Sequence, residues 1–97
     1  MELSERWMEK FEQEGFANVY EWQDEPNATY PSHTHRGKVS VFITDGSLAF
    51  RFADQTRTVT QNERYDIPVG VQHTITIGKH GRISVIGEEI EGDSQHN

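Results

Sequence analysis

The chain has 97 residues, with 9 Lys and Arg against 16 Asp and Glu, a net charge of −7 and no cysteine. This length makes one domain with one modest core, and the acidity argues against a nucleic-acid or anionic-membrane partner because phosphates would be repelled. Lacking cysteine, the chain can have no disulfide framework, thiolate metal site or cysteine nucleophile, so any metal must sit on histidine or carboxylate.

Met1 to Arg6 hold no apolar run of signal-peptide length, and no later stretch is long enough to span a bilayer, so a soluble, cytoplasmic protein is expected. Residues 4–16 then read as the one helix. Ser4 is placed as N-cap, Leu3 can staple onto Met8, and Gly15 ends the helix with Phe16 set to touch Phe11. Trp7, Met8 and Phe11 cluster on this helix, as a face covering the rest of the fold or a partner subunit.

From Asn18 the pattern changes to period two and keeps it almost to Glu89. Val19 to Gln23 reads as a strand, Asp24 to Ala28 as a polar turn, and the segment carrying His33 and His35 as a second strand. Lys38 to Thr44 is β-branched and closes at Asp45-Gly46, a type I′ hairpin signal, after which Leu48, Phe50 and Phe52 alternate with Ala49 and Arg51. Ala53 to Gln55 and Asn62-Glu63 are turns on either side of a strand over Thr56 to Thr60, and Tyr65 to Ile67 is a short strand ended by Pro68. Val71, His73, Ile75 and Ile77 share one face, Gly78 to Gly81 turns, Arg82 to Gly87 is the last strand, and Asp93 to Asn97 is a polar frayed tail. Some eight short strands of this kind indicate an all-β barrel or a two-sheet jelly roll.

Two stretches carry chemistry. His33 and His35 lie at i and i+2, which on a strand puts both imidazoles on one face about 7 Å apart. His73, after Pro68-Val69-Gly70, joins them if its strand faces theirs across a small barrel. Taken alone, the His-x-His pair is as readily a solvated surface pair as a metal site. His80 and His96, in a turn and in the tail, are expected to be solvated, and Arg51 is either a carboxylate clamp or an exposed charge.

His33-Thr34-His35, Gly46 eleven residues further on, and Pro68-x-Gly70-x-x-His73 together resemble the two-motif signature of the cupin superfamily, in its small single-domain form. The likeness covers about residues 17–90, with 1–16 as an N-terminal helical segment and 91–97 as a polar tail. It implies an all-β fold, a small jelly-roll barrel of two antiparallel sheets with one short N-terminal helix. The motif departs from the family where a glutamate is usual seven residues before the closing glycine, since Val39 stands there; Asn62-Glu63 and Ile77 replace the usual ends of the second motif.

The resemblance thus implies a three-imidazole variant of the cupin site, with His33, His35 and His73 holding a divalent ion: Fe, Zn, Ni, Mn, Co or Cu. Val39, Tyr30 and Tyr65 are candidates to line the pocket beside it. Three neutral ligands leave the full ionic charge and open positions, which suit a small anionic or chelating substrate. Two functions follow from the resemblance: a metal-dependent, dioxygenase-like enzyme, or a module that binds a small molecule without turning it over. It also implies a homodimer.

Overall fold

The computed structural model describes residues 2–93. Helix α1 spans Leu3–Gln13 and is followed by six strands: β1 Asn18–Asp24, β2 Thr29–His33, β3 Val39–Arg51, β4 Thr56–Thr60, β5 Arg64–Ile67 and β6 His73–Glu88. Every strand pairing is antiparallel.

The C-terminal end of α1 matches its sequence. Gly15 takes φ +94°, its N–H reaches Glu12 O at 3.0 Å, and the N–H of Phe16 reaches Phe11 O at 3.3 Å. These two bonds form a Schellman motif, sealed by the Phe11 and Phe16 rings at 5.4 Å. The N-terminal end differs from expectation. The extended residue before the helix is Glu2, so Ser4 already lies in the first turn and caps nothing, and Leu3 is 40% exposed instead of stapled to Met8. Phe11, Trp7 and Met8 turn inward onto Phe42 and Val85, with Trp7 stacked on Phe42 at 4.0 Å. The helix therefore covers the chain's own sheet.

Six strands replace the expected eight because two expected turns are not turns. Asp45-Gly46 lies inside β3 and Gly78 to Gly81 inside β6, and the two long strands run side by side past both points. Gly46 at φ +79° and Gly81 at φ +80° serve bulges here, where the β3–β6 register shifts. The local signal for a left-handed residue was sound, but with a long partner strand on hand the conformation bends a ladder rather than reversing the chain. A Cβ on Gly46 would collide with the Gly81 carbonyl, so the two glycines also let the strands meet closely.

The bend sorts the strands into two groups that share β3 and β6. One runs β1, the C-terminal half of β6, the N-terminal half of β3, then β5; the other runs β2, the N-terminal half of β6, the C-terminal half of β3, then β4. The core lies between them: Val39, Val41, Ile43, Leu48, Phe50, Val59, Ile67, Ile75, Ile77 and Ile86. The expected closure into a barrel does not occur among the described residues, because β1 and β2 pair only with β6, and β4 and β5 only with β3. Val71 precedes β6 and is 42% exposed, so it does not share the buried face of His73, Ile75 and Ile77.

No described helix is long and apolar enough to cross a membrane. Asp93, expected in the frayed tail, is held: its side chain is 4% exposed and accepts the N–H of Arg36 and of Gly37. His96 and the rest of the expected tail beyond Asp93 lie outside the described residues.

Candidate metal centre

His33 is the last residue of β2 and His73 the first of β6, and the two stand opposite each other in the ladder. Pro31 and Ser32 make this possible. Proline donates no ladder hydrogen bond and is tolerated on β2, which pairs with β6 alone, and the register shift between Tyr30 and His33 brings the imidazoles level. His35 is not on the strand with His33. It lies in the following loop, where its carbonyl accepts the Gly70 N–H at 3.0 Å, so the turn at Pro68 to Gly70 is tied directly to the His33-x-His35 segment.

The loop after His35 is held from below. Beyond the Asp93 bonds, Glu89 accepts the Lys38 N–H at 3.0 Å, and a Cβ on Gly37 would come within 2.9 Å of Glu89 Oε1 and of Ile90. Sequence reasoning missed this buttress because acids near a chain end read as solvated charge. Its only signal was Gly37, a glycine with no turn to make.

The three rings converge. Centroid distances are 4.9 Å for His33 and His35, 4.4 Å for His33 and His73, and 5.1 Å for His35 and His73. Each offers one ligand nitrogen, and these atoms all lie within 4.8 Å of one another. His33 Nδ1 is 2.7 Å from Pro31 O and His73 Nδ1 is 2.9 Å from Val71 O. A carbonyl only accepts, so in both rings Nδ1 carries the proton and Nε2 of the neutral imidazole keeps its lone pair. His33 Nε2, His73 Nε2 and both nitrogens of His35 are buried without a hydrogen-bond partner.

Burial, then the neighbouring His33 and His73, push the His35 imidazole below its ordinary value of 6.5. Burial also lowers His73, against the opposing pull of Val71 O. Buried polar atoms are nearly always paired, and an ion would satisfy one nitrogen from each of the three rings. The donor set fits a divalent metal: three neutral imidazoles, two with the tautomer fixed from behind.

His33 and His35 line a cavity of about 120 Å³ between the two strand groups, with Tyr20, Trp22, Tyr30, Val39, Val41, Phe50, Ile75, Arg82 and Ile86. Val39 is 1% exposed and puts an apolar wall on the cavity beside His33 and His35. Tyr30 is on the wall. Tyr65 is not; it packs on Phe50 at 4.9 Å with the Arg57 guanidinium over its ring, because β5 sits beyond β3 from the cavity. His73 instead borders a shallow groove on another side with Arg51 and Gln72, and Phe50 and Phe52 each stand 5.8 Å from its ring. His80 and Arg51 are exposed, as expected for the histidine and as one of the two readings of the arginine. Lining residues the sequence did not single out are Tyr20 and Trp22 of β1, Asp24's partner Arg82, and the apolar set from β3 and β6; Arg82 was hidden by taking Asp24 and Gly78 to Gly81 as turns.

No protein-family model matches the chain, and no curated protein does. Solved structures match it. A cupin-2 domain protein from Shewanella frigidimarina superposes with TM-score 0.62 at 26% identity, over 70% of this chain and 65% of that one. A cupin-like protein from Thermotoga maritima gives 0.65 at 21% identity, over 74% and 56%. Oxalate decarboxylase from Bacillus subtilis, which has Mn(II) centres, gives 0.69 at 17% identity over 81% of this chain but 22% of its own. The chain thus spans 65% and 56% of the lengths of the Shewanella and Thermotoga proteins.

Proposed function

The chain is a cupin by fold, and on that premise we propose that it binds one divalent metal ion through His33, His35 and His73 and acts as a small dioxygenase-like enzyme on an anionic or chelating molecule in the adjoining cavity. The observation that carries this reading is the set of buried, unpartnered imidazole nitrogens turned toward one another. The metal, when bound, supplies Lewis-acid and, for iron, manganese, cobalt or copper, redox chemistry at a site with open positions.

The protein's part is holding and shielding. Pro31 O and Val71 O fix two tautomers, the Gly70 to His35 bond fixes the third ring's loop, and Val39, Val41, Phe50, Ile75 and Ile86 keep water off the ligand. Val39 leaves the centre without a carboxylate, so the ion keeps its full charge for an anionic ligand. The homodimer belongs to the same proposal and rests on the resemblance alone, since Trp7, Met8 and Phe11 are spent on the chain's own sheet.

Dioxygen uptake by iron-loaded protein, screened with small thiols and β-diketones, tests the enzymatic part. Uptake that depends on one of these compounds and disappears in His73→Ala supports it. Saturable binding of a compound with no uptake under any metal would replace it with the non-catalytic binding module.

A further inference from the structure

One end of the cavity is polar. Asp24 and Arg82 are partners across β1 and β6, and form an ion pair with 7% and 4% of their side chains exposed. Arg82 Nε donates to Asp24 Oδ2 at 2.8 Å and Nη2 donates to the same oxygen. Asp24 Oδ1 accepts Trp22 Nε1–H at 3.1 Å and the Tyr30 hydroxyl, and that hydroxyl oxygen lies 3.1 Å from Trp22 Nε1. Asp24 is therefore saturated, and the three residues it fixes all line the cavity.

A buried pair of this kind is a weak source of stability, because desolvation offsets most of the attraction. Its consequence for a ligand is sharper. Arginine offers five N–H donors, and Asp24 accepts one from Nε and one from Nη2, which leaves three N–H groups, two of them on Nη1, outside this ion pair. The positive charge, however, is already cancelled by Asp24.

We propose that Asp24, Arg82, Tyr30 and Trp22 form a recognition subsite for a neutral oxygen, a carbonyl or hydroxyl, at the far end of the cavity ligand, and that this subsite selects against a second anionic group. A carboxylate placed there would sit beside the Asp24 carboxylate with the Arg82 charge already cancelled, and would be repelled. A methyl group would leave the Arg82 donor unmet. Between this cap and the imidazoles the wall is Val39, Val41, Phe50, Ile75 and Ile86, and a volume of about 120 Å³ corresponds to about four waters at about 30 Å³ each, room for a short molecule only. The ligand class is a short two-ended molecule: a chelating or anionic end at the imidazoles, an apolar middle and a neutral oxygen at the cap. The first end rests on the metal reading above; the second does not.

Titration calorimetry on zinc-loaded protein with pentanoate, 5-hydroxypentanoate and glutarate compares three head groups on one chain length. The hydroxy acid should bind about tenfold more tightly than pentanoate, with glutarate weakest. In Asp24→Asn the guanidinium loses its counter-charge, and glutarate should overtake the hydroxy acid. Arg82→Met should erase the preference for the hydroxy acid while pentanoate binding stays within about threefold. The wild-type order requires no variant, so it decides the matter even if a substitution prevents folding.

Glutarate binding more tightly than 5-hydroxypentanoate to wild type, three affinities within twofold, or no binding of any at low millimolar concentration would each overturn the subsite. Repeating the series without zinc separates the two ideas. An unchanged head-group order with affinities indifferent to zinc retains the subsite and removes the metal reading, whereas zinc-dependent affinities with no head-group order remove the subsite alone.

Discussion

Burial disfavours the charged forms of His35 and His73, and this gives the metal-free protein a pH signature. Burial holds both imidazoles below 6.5, while in the unfolded chain they titrate near that value. As pH falls through about 6.5 the unfolded state takes up protons that the folded state refuses, so stability present above that pH is lost below it. The carboxylates that are also lowered, Glu14, Glu63 and Asp66, start from 4.5, 4.5 and 3.8 and so act at lower pH. Urea midpoints of metal-free protein should therefore decline as pH falls below about 6.5, with a shallower decline in His35→Gln. A flat profile there would mean that the rings are solvated.

The same residues show what could be read in advance. Histidines 33, 35 and 73 were legible from their spacing around Pro68 and Gly70, and Val39 from the gap in the motif. Arg82 was not, because its role depends on Asp24, 58 residues away, and on a strand continuing through what locally looks like a turn. Asp93 was hidden for a similar reason: its acceptor role needs the amides of Arg36 and Gly37, 57 and 56 residues distant.

For the secondary-structure elements, the largest gap between sequence and structure is the pair of glycine bulges. Gly46 and Gly81 have the backbone of turn residues, and only the presence of a neighbouring long strand decides that they bend the sheet instead. Gly46 and Gly70 have nearly the same φ, +79° and +75°, but a Cβ on Gly46 meets the Gly81 carbonyl whereas one on Gly70 meets nothing within 4 Å. Gly70→Ala should thus cost about 1 kcal/mol, the left-handed penalty alone, and Gly46→Ala about 3 kcal/mol. In a domain of this size that is a fall in Tm of about 4–8 °C against more than about 12 °C. Equal falls in thermal melts would show that β3 and β6 do not meet at these glycines. By contrast, the C-terminal end of α1 was legible residue by residue, since Gly15 and Phe16 act only on the turn before them, while its start was not, because the helix begins at Leu3 with no side-chain cap to mark it.

In the molecule as a whole, two strand groups share β3 and β6 and open a cavity between them, with His33 and His35 of the imidazole cluster on its wall and Arg82 of a buried ion pair at another place on it. The period-two pattern carried the all-β class and the resemblance the antiparallel pairing, but neither gave the number of strands or the absence of closure, which depend on how the long strands bend. Light scattering should give twice the 11.2 kDa chain mass if the proposed homodimer forms. The central claim is that this fold exists to hold one ion on His33, His35 and His73. Metal content by mass spectrometry, on protein dialysed after loading, tests it most directly: about one ion per chain in wild type and in His80→Ala, and a steep loss in each of His33→Ala, His35→Ala and His73→Ala while the fold is retained by circular dichroism. Undiminished metal in the three ligand variants, or none in loaded wild type, would contradict it.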